Sequence, residues 1–218
     1  MFVLYKVLSN YIENNLYRTI SKTNIHKLMD DKGAYGEYLT FNILKNIDGK
    51  ILTNLYLPKL KGGTTEVDLV FINSKGIFVI ESKNYSGRIY GSSNSKFWMQ
   101  ILKNNQRNKF YNPIFQNRIH INAIKNILKD VNENDIYSIV VFSERCNIDN
   151  VNVSSENVKV IKRNYLESTI KDIMHSNFVK FNDDEVNDLH NKLLRYSDVS
   201  EIEKEQHIQN IKNMYSRS

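Results

Sequence analysis

The chain has 218 residues, a mass of 25.6 kDa and one cysteine, Cys146. That is enough chain for one core of ordinary size, and an internal disulfide is excluded, which fits an intracellular setting. Lysine and arginine exceed aspartate and glutamate by only 30 to 24, so the total charge selects no partner, although its distribution does.

The first twenty residues, MFVLYKVLSNYIENNLYRTI, are interrupted by Lys6 and Glu13. They fall short of the roughly 18 apolar residues a membrane span needs and lack the small-residue exit of a cleavable signal. The expectation is a soluble cytoplasmic protein with no membrane partner. Phe2, Leu4, Tyr5, Leu8, Ile12 and Leu16 suit one helix face that docks on its own domain. Residues 1–30 are thus taken as an N-terminal helical segment, 31–163 as the core and 164–218 as a helical C-terminal extension.

In chain order, AYGEYLTFNILKNI (34–47) has helical spacing, with Glu37 in its first turn and Gly49 as a stop signal. KILTNLYLP (50–58) reads as a strand closed by Pro58, and KGGT (61–64) as a turn. Two further strands follow, TEVDLVFIN and GIFVIESK, then a short one near 88–90 after Gly87. Residues 92–111 are polar and poorly patterned, which predicts a loop. Asn112-Pro113 starts a helix that runs to about Lys129, because Asn caps free N–H groups and Pro suits the first helical position. IYSIVVF (136–142) and VKVI (158–161) are strands, and helices are expected at 164–175, 183–196 and about 199–214. Strands apolar on both faces, followed by helices, give an α/β (α+β) fold with a mixed, hairpin-bearing sheet flanked by helices.

The two strands after KGGT carry charge where burial is expected. A loop at Asn73–Gly76 pairs Ile72 with Ile77, and the same register sets Asp68 opposite Glu81 and Glu66 opposite Lys83. The two-residue period puts all four on one face, with the two acids about 5 Å apart at Cβ. Such a pair needs a compensating cation. A divalent, oxygen-loving ion such as Mg²⁺ supplies one and keeps waters for chemistry at phosphate. Lys83 is then placed to hold or deprotonate an attacking water. The plainer alternative is a Glu66–Lys83 salt bridge beside a surface acid pair, which is hard to reconcile with the apolar neighbours.

Between Glu81 and Asp130 there is no acidic residue, whereas Lys83, Arg88, Lys96, Lys103, Arg107, Lys109, Arg118, Lys125 and Lys129 lie there among Tyr85, Tyr90, Phe97, Trp98, Phe110, Tyr111 and Phe115. Cations with interleaved rings suit a nucleic-acid backbone and its bases; a solvated basic face over core aromatics is the other reading. Trp98 is a core or loop anchor or a base-stacking ring, and Cys146 a small filler. The five histidines show no zinc spacing, and no Walker or dinucleotide loop is present.

Asp68 followed by Glu81-Ser82-Lys83 resembles the acid plus E-x-K core of the restriction-endonuclease-like PD-(D/E)XK nuclease superfamily. The surrounding blocks GAYGE (33–37), TEVDLVFINSKGIFVIESKNYSGRIYG (65–91), Trp98 and NPIFQNRIHINAIKNIL (112–128) resemble its nuclease-related domain (NERD) family over about residues 30–145. The resemblance implies that Glu37, Asp68, Glu81 and the Ser82 carbonyl hold Mg²⁺ or Mn²⁺, that Lys83 is the catalytic lysine, and that Gln116 completes the site. From the residues alone Glu37 reads as a helix-dipole acid. Gln116 and His120 share a helix face, and His120 reads as a surface residue outside the catalytic set.

The expected function is a metal-dependent nuclease acting on nucleic acid, DNA before RNA, with the acid-free stretch (Lys83, Arg88, Lys96, Lys103, Arg107, Lys109, Arg118) carrying the backbone. The alternatives are a non-catalytic nucleic-acid-binding module on the same fold and an interaction role for 199–214, including a homodimer.

Overall fold

The computed structural model describes residues 30–60 and 62–197. The expected helices at 2–20 and 199–214 lie outside them. Helix α1 (Lys32–Leu44) leads into β1 (Lys50–Pro58), β2 (Thr64–Asn73), β3 (Gly76–Lys83), β4 (Gly87–Ser92), β5 (Phe97–Ile101) and β6 (Arg107–Tyr111). Helix α2 (Pro113–Ile127) separates these from β7 (Ile136–Phe142), β8 (Cys146–Asn152) and β9 (Val158–Lys162), and α3 (Leu166–Ser176) and α4 (Asp183–Leu194) follow.

Five strands form one mixed sheet in the order β1-β2-β3-β7-β9, and four form another in the order β6-β5-β4-β8. β3 and β7 run parallel in the first sheet, and β4 and β8 run parallel in the second. Each pair is one bent ribbon. Only residues 84–86 separate β3 from β4, and only 143–145 separate β7 from β8. The pairing offset is the same on both sides of the bend, with Lys83 opposite Phe142 and Gly87 opposite Cys146.

The first sheet is apolar on both faces because helices cover both. Leu69, Phe71, Phe78, Ile80, Ile139 and Val141 pack against Tyr38, Phe41 and Leu44 of α1 and Leu166, Ile170 and Ile173 of α3. On the other side Val70, Ile72, Ile77 and Val79 pack against Ala123 and Ile124 of α2 and Val186, Leu189 and Leu193 of α4. Each fully buried Val, Leu, Ile or Phe among them contributes roughly 1.5–3 kcal/mol. The second sheet turns Ile89, Trp98 and Phe110 toward Val140 and Phe142. Trp98 is a core anchor: it is 1% exposed, stacks on Phe142 and donates its Nε1–H to the Ser92 carbonyl at 2.9 Å.

Three local expectations change. Residues 92–111 contain the antiparallel pair β5–β6 rather than a loop. These strands are five residues long; the outward row mixes Phe97, Met99 and Ile101 with Arg107, Lys109 and Tyr111, and the inward row sets Gln100 and Asn108 beside Trp98 and Phe110, so an alternating apolar signal never builds up. CNIDNVN is an edge strand of the second sheet, too polar to stand out. Helix α1 starts at Lys32, capped by Asp31 Oδ1, which accepts from Gly33 N at 2.7 Å and Ala34 N at 3.3 Å. Glu37 therefore sits in the second turn, beyond the strongest reach of the helix dipole.

Candidate active site

The site begins where β2 loses its ladder. Against β1, pairing runs from Thr53–Leu69 to Leu55–Val67 and skips Asn54 and Asp68; against β3 it ends at Leu69–Ile80. Asn54 adopts φ 53°, a conformation that asparagine tolerates better than most L residues. Face alternation slips at this point, so that Val67 joins Val70 and Ile72 on the α2 side. The Asp68 carboxylate fills the gap in the ladder, its Oδ2 accepting the Ser82 N–H at 2.8 Å.

Register therefore holds as expected through Ile80, but the four charged residues do not share one face. Glu66 lies opposite Tyr56 of β1 and accepts that phenol's O–H at 2.6 Å, so it makes no bridge to Lys83. Its neighbour Thr65 reaches the α2 side instead.

β3 continues beside β7 through Glu81, Ser82 and Lys83. Alternation sends Ser82 toward α1, where its Oγ lies 3.2 Å from Thr40 Oγ1, and sends Glu81 and Lys83 toward α2. Lys83 donates to Glu81 Oε1 and, at 3.2 Å, to Gln116 Oε1. His120 Nε2 lies 3.0 Å from Glu81 Oε2, and its Nδ1 lies 2.9 Å from Thr65 Oγ1. Gln116 and His120 reach β3 together because they stand one turn apart on α2, whose start is fixed by Asn112 Oδ1 accepting the Ile114 N–H. Glu37 enters from α1, which approaches the end of β3 closely: a Cβ on Gly36 would lie 2.6 Å from Asn84 Cβ. An open cavity of about 490 Å³ results, lined by Glu37, Asp68, Glu81, Lys83 and Gln116, with Arg145 at its edge.

The charges in this cavity are out of balance. Burial, followed by Glu66, Glu81 and Asp31, pushes the Glu37 carboxyl up to about 8. Burial also raises Asp68 well above the usual carboxylate range, and Glu81 and Glu37 add to the effect. Burial would raise Glu81 too, but Lys83 and His120 override it and hold that group below its ordinary value. Lys83 is held above its ordinary value, since Glu81 and Asp68 outweigh its own desolvation. In this arrangement its ammonium donates to Glu81 and Gln116.

Two buried acids, both shifted upward for want of positive charge, form a donor set suited to a hard divalent cation. Among the described residues, no three Asp, Glu, His or Cys side chains converge as ligands of one ion. Glu81 is turned to Lys83 and His120, and Asp68 to the Ser82 N–H.

The structure gathers Glu37, Asp68, Glu81, Ser82, Lys83 and Gln116 at one cavity. Arg88, Lys96, Lys103, Arg107, Lys109 and Arg118 are all exposed. Arg88, Arg107 and Lys109 occupy the outward rows of the second sheet, opposite in sense to buried Ile89 and Trp98. Lys96 and Lys109 lie over the Phe97 ring at 5.4 and 4.2 Å, and Arg118 over Phe115 at 4.6 Å.

His120 corrects the sequence reading. It is 2% exposed and bonded to Glu81, not a surface residue. Its four-residue spacing from Gln116 was the available signal. Thr65 and Arg145 carried none, because only the β2 slip and the β7–β8 bend bring them to the site.

The two sheets, with acids delivered from α1, β2 and β3 to the end of a strand pair, define a restriction-endonuclease-like α/β fold. The model of the nuclease-related domain, NERD, matches residues 32–143, and the chain belongs to this family. An uncharacterized protein of Bacillus anthracis is 30% identical over 189 residues, 85% of this chain and 86% of its own. The crystal structure of AF1548, a protein of unknown function, is similar over 86% of this chain and 100% of its own, at 13% identity and a TM-score of 0.37. Among the described residues, no helix is long and apolar enough to cross a membrane.

Proposed function

We propose that the protein is a metal-dependent nuclease that hydrolyses phosphodiester bonds, in DNA by preference. The observation that carries this reading is the convergence of Glu37, Asp68, Glu81 and Lys83 on one open cavity in a chain of the nuclease-related family.

Glu37, Asp68, Glu81 and the main-chain carbonyl of Ser82 would hold Mg²⁺ or Mn²⁺. Such an ion, when bound, lowers the pKa of a water and offsets negative charge at phosphorus. Glu81 then no longer depends on Lys83 for its neutralisation, and the Lys83 ammonium is free to orient the attacking water or a phosphate oxygen. Gln116 accepts from Lys83 and fixes its direction; His120, bonded to Thr65, does the same for Glu81. The outward cations of the second sheet and α2 supply the surface for the nucleic-acid backbone.

A second reading, a binding module without catalysis, draws on the engagement of Glu81 by Lys83 and His120. One panel separates the two: supercoiled, linear and single-stranded DNA and RNA, incubated with Mg²⁺, Mn²⁺ or chelator. Metal-dependent cleavage that is lost in Glu81→Ala and Lys83→Ala supports the nuclease. Binding that ignores metal and tightens in Asp68→Asn, with no cleavage of any substrate, supports the module.

A further inference from the structure

We propose that Arg145 forms a phosphate-binding site at the edge of the acidic cavity, gripping a backbone phosphate of the nucleic acid. The proposal rests on the nuclease reading above and names a contact that reading does not contain.

Arg145 lies in the three-residue bend between β7 and β8 and lines the same cavity as Glu37, Asp68, Glu81 and Lys83. Among the described residues its guanidinium is held by neutral oxygens alone. Nε donates to Ser143 Oγ at 3.1 Å, and Nη2 donates to the Asn84 carbonyl at 3.2 Å and to Asn84 Oδ1 at 2.9 Å. These anchors are themselves fixed to the site: the Ser143 N–H donates to the Lys83 carbonyl, and Asn84 Nδ2 donates to the Lys32 carbonyl at the start of α1.

Three strong acceptors orient the group, yet none neutralises it. Among the described residues, Arg145 has no carboxylate within ion-pair distance, although three carboxyl groups line the same cavity. Lys83, by contrast, is bonded to Glu81, and the neighbouring guanidinium of Arg163 is buried and bonded to Glu144. Arg163 also lies 3.4 Å from Asn84 Oδ1 and adds positive potential behind Arg145. A side chain kept only to strap the bend would not need to be a cation. A fixed, exposed guanidinium whose Nη1 edge has no partner among the described residues, beside a phosphodiester-cleaving centre, has the planar, multi-donor geometry that phosphate oxygens select.

The test measures binding by fluorescence anisotropy in chelator, so that cleavage does not intervene. The probes are short single-stranded DNA oligonucleotides, each carrying one uncharged methylphosphonate at a successive position. Wild type, Arg145→Ala and Arg145→Lys are compared, with thermal melting to establish that each is folded. Loss of one charge-assisted contact should weaken Arg145→Ala about tenfold to a hundredfold and reduce the salt slope by about one counterion. Arg145→Lys should recover the salt slope but only part of the affinity.

One neutralised phosphate should weaken wild type by a similar factor and cost Arg145→Ala nothing further. If every neutralised position weakens both folded variants as much as wild type, Arg145 touches no phosphate and the proposal fails alone, with metal-dependent cleavage by wild type intact. If wild type neither binds nor cleaves any oligonucleotide, the nuclease reading fails, and the Arg145 site with it.

Discussion

Glu37→Gln should make the metal-free protein more stable, by an amount that depends on pH. In the folded chain this carboxyl releases its proton near pH 8, compared with an ordinary value of 4.5, because burial and then Glu66, Glu81 and Asp31 oppose its charge. Below about pH 4.5 both folded and unfolded chains are protonated, and the group costs nothing. Between 4.5 and 8 the unfolded chain sheds the proton while the folded chain keeps it, so stability falls as pH rises; above about 8 the loss is complete. At about 1.4 kcal/mol per pKa unit the full shift corresponds to roughly 5 kcal/mol, and cavity water around this half-buried side chain reduces it to about 2–3 kcal/mol. For a chain of this length that is a gain of roughly 5–10 °C in Tm at pH 8.5 and none at pH 4. Thermal and urea unfolding in chelator from pH 4 to pH 9 measures it. Curves for the two proteins that run parallel, or a variant less stable than wild type at pH 8.5, would refute the electrostatic account of the cavity.

Glu81→Ala should act in the opposite direction, destabilising by about 3–5 kcal/mol in urea, because it strands the Lys83 ammonium and the buried His120 ring without their carboxylate. His120→Ala removes a 2%-exposed ring and both of its hydrogen bonds, and should cost about 2–4 kcal/mol by the same measurement. Asn112→Ala loses the α2 cap together with side-chain bonds to the Ser92 and Ser95 carbonyls, for about 2 kcal/mol. Cys146, buried and with its thiol pushed up to about 11, should react with iodoacetamide at pH 8 far more slowly in the native protein than in urea.

The hairpin register was readable because its turn, Asn73–Gly76, is short and its flanking residues are apolar on both faces; the Ile72–Ile77 pairing follows directly. The slip at Asp68 was not. It depends on Asn54, fourteen residues earlier in a different strand, adopting a conformation that sequence permits without demanding. The expected single face of Glu66, Asp68, Glu81 and Lys83 failed for that reason. Glu37 reads from sequence as a dipole acid because its place in the cavity depends on the packing of α1 against β3, and that packing turns on Gly36, whose missing Cβ carries no periodic signal. His120 reads from sequence as a surface group because a histidine with one helical neighbour in view ordinarily is one. Its burial becomes visible only once Thr65 and Glu81 close on it from two strands.

The bent ribbon has a mechanical consequence. A chain that passes between two sheets once forms a hinge. Here it passes twice, side by side, and the two passages are tied by Ser143 N–H to the Lys83 carbonyl, Gly87 N–H to the Arg145 carbonyl, and the Arg145 side chain to Asn84. Two linked straps resist the bending that one would allow, so the angle between the sheets, and the width of the cavity between them, is fixed before any ligand arrives. The β5–β6 hairpin is seated on the same bend, where Gly87 leaves room for the Ile101 carbonyl and the Gln100 side chain donates to the Ser86 carbonyl, so the wall at Leu102 is set by the straps as well.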